Sequence, residues 1–149
     1  MEKKELADIV MSLFVYADVC KMIHYTTNQM HCHTLCDDVR DTITDFADEL
    51  AEKGFGHTGK PEFDDFSMKL SVTKTQDIAE VCNKCIELAE DMRKKIEGDD
   101  TYSGIVSIID DFKSDMAQKI YLANFDEVEK DSKVNEEVDK LRKWQTILN

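Results

Sequence analysis

The sequence predicts an all-α protein: an up-down four-helix bundle with a long crossover between helices 2 and 3 and a C-terminal helical tail. Three observations carry that expectation. The 149 residues include only 5 Gly and 1 Pro, so breakers are sparse and the stretches between them read as helix. Apolar residues recur at three- and four-residue steps in four successive segments, the spacing of one helix face. Gly54, Gly56, Gly59 and Pro61 then fall together and open a connection too long for a simple helical hairpin.

The first helix is expected from about Lys4 to Tyr25, with Leu6, Ile9, Val10, Leu13, Phe14, Ala17, Cys20 and His24 as its stripe. Thr26-Thr27-Asn28 is the polar break after it. The second helix runs from about Gln29 to Lys53, with Val39, Ile43, Phe46 and Leu50 inward, and the glycines and Pro61 end it. A connection of roughly twenty residues follows, to about Thr73. Its apolar residues Phe55, Phe63, Phe66, Met68 and Leu70 suggest packing on the bundle through a short helix around Glu62–Lys69. Thr73 to Gln76 has capping-box spacing for the third helix. Ile78, Val81, Cys82, Cys85, Leu88, Ala89, Met92 and Ile96 form its stripe, and Gly98 ends it. The fourth helix starts near Thr101 or Ser103 and carries Ile105, Ile108, Ile109, Phe112, Met116, Ile120 and Ala123. Residues 1–125 thus make the bundle. Residues 126–149 make a charged, weakly amphipathic tail, expected to pack on the bundle or on a neighbour, with Trp144 as its anchor.

Hydrophobic residues at 42% and charged residues at 34% give a globular balance, too apolar for a disordered tail and too charged for a membrane protein. No apolar run reaches the roughly 18 residues a membrane span needs. The charged start Met1-Glu2-Lys3-Lys4-Glu5 does not read as a signal peptide, and a cytoplasmic location is expected. The net charge of −13 repels nucleic acid and anionic lipid and attracts cations, so neither nucleic acid nor membrane is an expected partner. The 5 cysteines, an odd number, argue against a disulfide framework.

The chemistry concentrates between residues 24 and 52. His24, His31 and His33 lie there, and only His57 lies outside. With a turn of about 100° per residue and His33 at zero, Asp37 falls near 40°, Asp48 near 60° and Glu52 near 100°. Val39, Ile43, Phe46 and Leu50 fall at about 220–280°, so the candidate ligands point away from the core. Imidazole with carboxylate suits Fe, Mn or Zn better than Ca or Mg, which prefer oxygen alone. Against this stands the plain reading, in which an acidic protein carries Asp and Glu on any solvated flank.

His33-x3-Asp37 followed by Asp48-x3-Glu52 resembles the ferroxidase motif of Dps proteins, the small ferritins of bacteria. An upstream His at the end of the first helix completes that motif, and His24 matches it. The His24-to-His33 spacing is shorter than in Dps proteins, and Tyr25 stands where they carry Trp. The His-x8-His and Asp-x3-Glu arrangement is closer to an uncharacterised ferritin-like family of phages and gut bacteria. Ile108 to Asp111 and Ile120 to Leu122 are also similar to that family. The resemblance implies a ferritin-like fold with metal ligands His24, His33, Asp37, Asp48 and Glu52. The metal is iron, as Fe²⁺ and Fe³⁺, or another divalent ion. The resemblance further implies that the His residues and the Asp/Glu pair come from two different subunits, so that the protein is a homo-oligomer, a dimer at least and by analogy a shell. The expected activity is Fe²⁺ oxidation and iron storage. Asp38, Asp41, Asp45 and Glu49 extend the acidic surface. Only Lys3 and Lys4 stand where DNA-binding members carry a Lys-rich tail, so DNA binding is not expected. No Glu-x-x-His occurs, which argues against the in-bundle site of the larger ferritins.

Other motifs have simpler readings. Cys82 and Cys85 sit mid-helix in an apolar stripe and read as core. Cys32 and Cys36, one turn apart beside His31 and His33, leave a soft-metal or zinc site open. Asp110 and Asp111 read as solvated or as a helix–helix contact. Two alternatives to iron storage remain: a non-catalytic helical interaction module with an acidic surface, and a metal-binding dimer without turnover.

Overall fold

The computed structural model describes residues 1–62, 77–125, 138–145 and 147. Four long helices form: α1 (Lys3–Thr26), α2 (Met30–Thr58), α3 (Ile78–Ile96) and α4 (Ser103–Ala123), with one 3₁₀ turn at Asp100–Tyr102 ahead of α4. Residues 138–145 are helical as well, and no strand occurs among the described residues. No helix among them is long and apolar enough to cross a membrane.

The helix ends follow local chemistry. Glu5 reaches back to the backbone N–H of Glu2 at the start of α1. Asp77 caps α3 by accepting the N–H of Glu80 at 2.9 Å, a carboxylate placed where the helix dipole favours it. The expected Thr73–Gln76 capping box, and all but the first residue of the expected short helix at Glu62–Lys69, lie outside the described residues. Arg93, Lys94 and Lys95 fill the last turn of α3, where the dipole favours cations.

The structure corrects the end of α2. The glycines were expected to stop it near Lys53, yet the helix continues through Gly54 and Gly56 to Thr58, and only Gly59, at φ +93°, ends it. Gly54 serves close approach instead of breaking the helix. A Cβ there would lie 2.5 Å from Leu6 Cδ2, so the missing side chain lets α2 pack tightly on the start of α1.

Side-chain contacts set the helix directions. The Gly54–Leu6 approach makes α1 and α2 antiparallel. Lys95 pairs with Glu5 at 3.4 Å, so α3 runs antiparallel to α1. His31 reaches the Leu122 carbonyl at one end of the bundle and His57 packs on Tyr102 at the other, so α4 runs antiparallel to α2. Arg93–Asp110 and Lys113–Glu90 tie α3 to an antiparallel α4. α2 and α3 therefore run the same way. The connection expected to form the crossover falls mostly on residues 63–76, outside the described residues.

The core is apolar throughout, with no buried polar or charged side chain among the described residues. Leu13 of α1, Ile43 and Leu50 of α2, Val81 and Met92 of α3, and Ile109 and Met116 of α4 are essentially inaccessible. Each such side chain contributes about 1.5–3 kcal/mol. Phe46 and Phe112 stack at 3.9 Å and join α2 to α4. The expected stripes hold with named exceptions. Phe14 faces out, 39% exposed, and Leu88, Ile108, Ile120 and Ala123 are only partly buried. In the tail, Val138, Leu141, Trp144 and Ile147 recur at three-residue steps and are all exposed. Trp144, expected to anchor the tail, is 63% exposed.

Two outcomes follow from this packing. In urea unfolding, Gly54→Val destabilises by about 1–3 kcal/mol because the new side chain must displace Leu6. Gly56→Ala, with nothing within 4 Å, stabilises by about 0.5–1 kcal/mol. The second outcome concerns acid. Hydrogen bonds from Arg93 and Lys113 hold Asp110 and Glu90 below their ordinary values of 3.8 and 4.5. A carboxylate depressed in the folded state stabilises the fold above its unfolded value, and that contribution disappears as pH falls through the folded value. Thermal melts from about pH 5 to about pH 2 should therefore show a smaller loss of stability for Asp110→Asn/Glu90→Gln than for wild type.

Candidate functional site

The turn between α1 and α2 builds the site. Thr27 caps the end of α1 in extended conformation, and its hydroxyl accepts the N–H of Gln29 at 3.2 Å. Gln29 then opens α2 without a side-chain cap. This short reversal folds α2 back on α1, so positions 24 and 33, equally far from the middle of the turn, face one another.

The two histidines there form a reciprocal pair. His24 Nδ1 lies 2.7 Å from the His33 carbonyl, and His33 Nδ1 lies 2.9 Å from the His24 carbonyl. A carbonyl only accepts, so each Nδ1 carries the proton and donates. In the neutral ring this leaves each Nε2 as a lone pair. The imidazoles stack at 3.7 Å with 25° between their planes. A backbone carbonyl that fixes Nδ1–H is the usual support for an imidazole that ligates through Nε2.

Asp37 joins the pair at the Nδ1 edge of His24. Its Oδ1 lies 2.9 Å from Lys21 Nζ and 3.6 Å from His24 Nδ1. The Lys21 ammonium, and after it His24, hold its carboxyl below the usual range. Asp37 thus sits on the protonated side of His24, where it steadies the ring, and Lys21 neutralises it.

Asp48 and Glu52 stand apart. They are exposed on α2, and neither makes a hydrogen bond or ion pair among the described residues. They lie about 22 and 28 Å along the helix from His33. The five expected ligands therefore fall into two groups, His24, His33 and Asp37 at one end and Asp48 with Glu52 farther along. No cluster of three or more His, Cys, Asp or Glu side chains suited to a metal ion forms among the described residues. Asp45 and Glu49 face Asp111 and Asp115 of α4 across a cleft of about 250 Å³ above Phe46 and Phe112, and Glu49 pairs with Lys53 at 2.5 Å. Asp110 makes the expected helix–helix contact, accepting from Arg93 at 2.8 Å.

The cysteines divide as well. Cys20, Cys82 and Cys85 are buried in the core, and burial pushes their thiols up, Cys82 to about 12. Cys32 is only half-buried, and its sulfur lies 3.9 Å from that of buried Cys36. The Cys36 thiol beside it holds Cys32 below the ordinary thiol range, and the same contact pushes Cys36 up. Sequence spacing does not reveal the roles of Lys21, the two carbonyls or the Leu122 carbonyl. Backbone acceptors carry no residue signature, and Lys21 is sixteen residues from its partner.

His24→Ala and His33→Ala should each cost about 0.5–1.5 kcal/mol in urea unfolding, because each removes a part-buried imidazole–carbonyl hydrogen bond. The two losses should be non-additive by at least about 0.5 kcal/mol, the mark of a shared contact. No known protein family, curated protein or solved structure matches the chain.

Proposed function

We propose that this chain is a ferritin-like, Dps-like bundle that binds iron between two copies of itself, oxidises Fe²⁺ and stores the ferric product in a homo-oligomer. The reciprocal His24–His33 pair carries the reading. Two imidazoles whose Nδ1 protons are both committed to backbone carbonyls have their Nε2 lone pairs left for a cation. The parallel course of α2 and α3 supports the ferritin-like assignment.

The separation of the ligand groups supports a shared site. Laid antiparallel across a two-fold axis near Asp41 and Thr42, two α2 helices bring His33 of one copy beside Asp48 and Glu52 of the other. An isologous contact makes two such sites at once. Phe14, Met22 and Tyr25, exposed on one face of α1, supply apolar surface for association. Within the site, His24 and His33 hold Fe²⁺, and the hard oxygens of Asp48 and Glu52 favour Fe³⁺. Asp37 orients His24. Iron is the substrate: two Fe²⁺ give two electrons to one hydrogen peroxide, which takes up two protons and leaves as two waters.

A second reading, a helical interaction module with an acidic surface, rests on the cleft ringed by Asp45, Glu49, Asp111 and Asp115. Iron loading separates the two. Fe²⁺ added to the wild type should oxidise faster than in buffer, followed by ferric absorbance in the near ultraviolet. His33→Ala and Glu52→Ala should each abolish the gain. Mixing the two inactive variants with subunit exchange should restore about a quarter of the sites, since half the dimers are mixed and each carries one intact site. Wild-type oxidation no faster than buffer, or a monomer by light scattering, defeats the iron reading and leaves the module.

A further inference from the structure

Cys32 and Cys36 form a feature that the iron reading does not use. Their sulfurs lie 3.9 Å apart, one turn of α2 from each other. Cys20, Cys36, Cys82 and Cys85 are all 0% exposed, so Cys32 alone offers a thiol to solvent among the described residues. Cys32 also lines a cavity of about 500 Å³ at the end of the bundle, with Gln29, His31, Asp77, Ile78 and Phe125. One water takes about 30 Å³ of liquid volume, so a small organic molecule has room to reach the sulfur.

The local backbone permits the pair to close. Residues four apart on a helix have Cβ atoms about 5–6 Å apart. A disulfide wants about 3.5–4.5 Å, so the turn must tighten or open slightly. Cys32 lies in the first turn of α2, where N–H groups lack helical partners, and Gln29 supplies no side-chain cap. Closing the pair shifts His33, which lies between the two cysteines, so the His24–His33 hydrogen bonds must adjust with it. The pairs involving Cys20, Cys82 and Cys85 lie inside the packed core with no such freedom.

We propose that Cys32 is a site of oxidation by small hydroperoxides and that Cys36 resolves the product as a disulfide within α2. The Cys32 sulfur attacks one peroxide oxygen and the O–O bond breaks. Cys32 becomes a sulfenic acid, and the thiol proton leaves with the other oxygen as an alcohol, or as water from hydrogen peroxide. The Cys36 sulfur then attacks the sulfenic sulfur, the S–O bond breaks, and hydroxide departs with the Cys36 proton as water. Two thiols lose two electrons and the peroxide bond gains them. No iron takes part.

The test uses the full chain, free of metal and with a chelator present. The protein receives one equivalent of cumene hydroperoxide, then iodoacetamide, and is read by intact mass and tryptic mapping. Wild type should lose about 2 Da and two alkylatable thiols. Both losses should map to residues 22–40, the peptide between Lys21 and Arg40. Met22 and Met30 on the same peptide gain oxygen instead, so the mass loss is distinctive. Cys36→Ala should stop at a sulfenic acid on Cys32 that dimedone traps, and Cys36→Val repeats this with a better-filled core. Cys32→Ser should slow thiol loss by at least about tenfold. Oxidation that begins at Cys20, Cys82 or Cys85, a disulfide that still forms in Cys32→Ser, or thiols that all remain alkylatable overturns the proposal. Because no iron is present, each of these results leaves the iron reading to its own experiment.

Discussion

The α1–α2 turn end of the bundle depends on one interaction, the exchange of imidazole–carbonyl hydrogen bonds between His24 and His33. It fixes the register of α1 on α2 at the turn, where Gln29 opens α2 without a side-chain cap. It also fixes the tautomer of both rings. From that register follow the Lys21–Asp37 ion pair, the placement of Cys32 at the mouth of the end cavity, and the outward face of α2 that carries Asp48 and Glu52. A slip of one residue in this hairpin would rotate every one of these groups by about 100°.

Electrostatics shape the same molecule at a larger scale. With a net charge of −13, few cations are available, and those that pair across helices do so at seams. Lys21 serves Asp37, Arg93 serves Asp110 and Glu97, Lys113 serves Glu90, and Lys95 serves Glu5. Asp48 and Glu52 gain no such partner among the described residues, so the α2 flank holds much of the uncompensated negative charge. Exposed pairs are worth little individually, so their role is mainly to choose which helices sit together.

Much of the fold was legible in the chain. The four apolar stripes come from periodicity and breakers alone, because helix packing needs only a face of the right spacing. What failed did so for physical reasons. Gly54 and Gly56 read as a stop, yet an exposed glycine weakens a helix without ending it, and Gly54 is valuable to α2 for its missing side chain. Phe14 fits the α1 stripe by spacing but sits at its solvent edge. At the site, the histidines and carboxylates were legible as residue types on one flank. Their division into two groups was legible only as distance along a helix. The carbonyls that orient the rings, and Lys21 on Asp37, depend on a tertiary register that spacing does not encode.

The parallel course of α2 and α3 has a consequence for how the chain assembles. It divides the bundle into two helical hairpins, α1 with α2 and α3 with α4. Each is closed by nearby contacts such as His24–His33 and Arg93–Asp110, and the two are joined by distant ones such as Phe46–Phe112 and Lys95–Glu5. Contacts within each hairpin close shorter loops than contacts between the two, so they cost less loop-closure entropy to form. The docking surface is the same whether the second hairpin comes from the same chain or from another copy. Exchange of α3–α4 between two chains would keep every core contact of the monomer among the described residues.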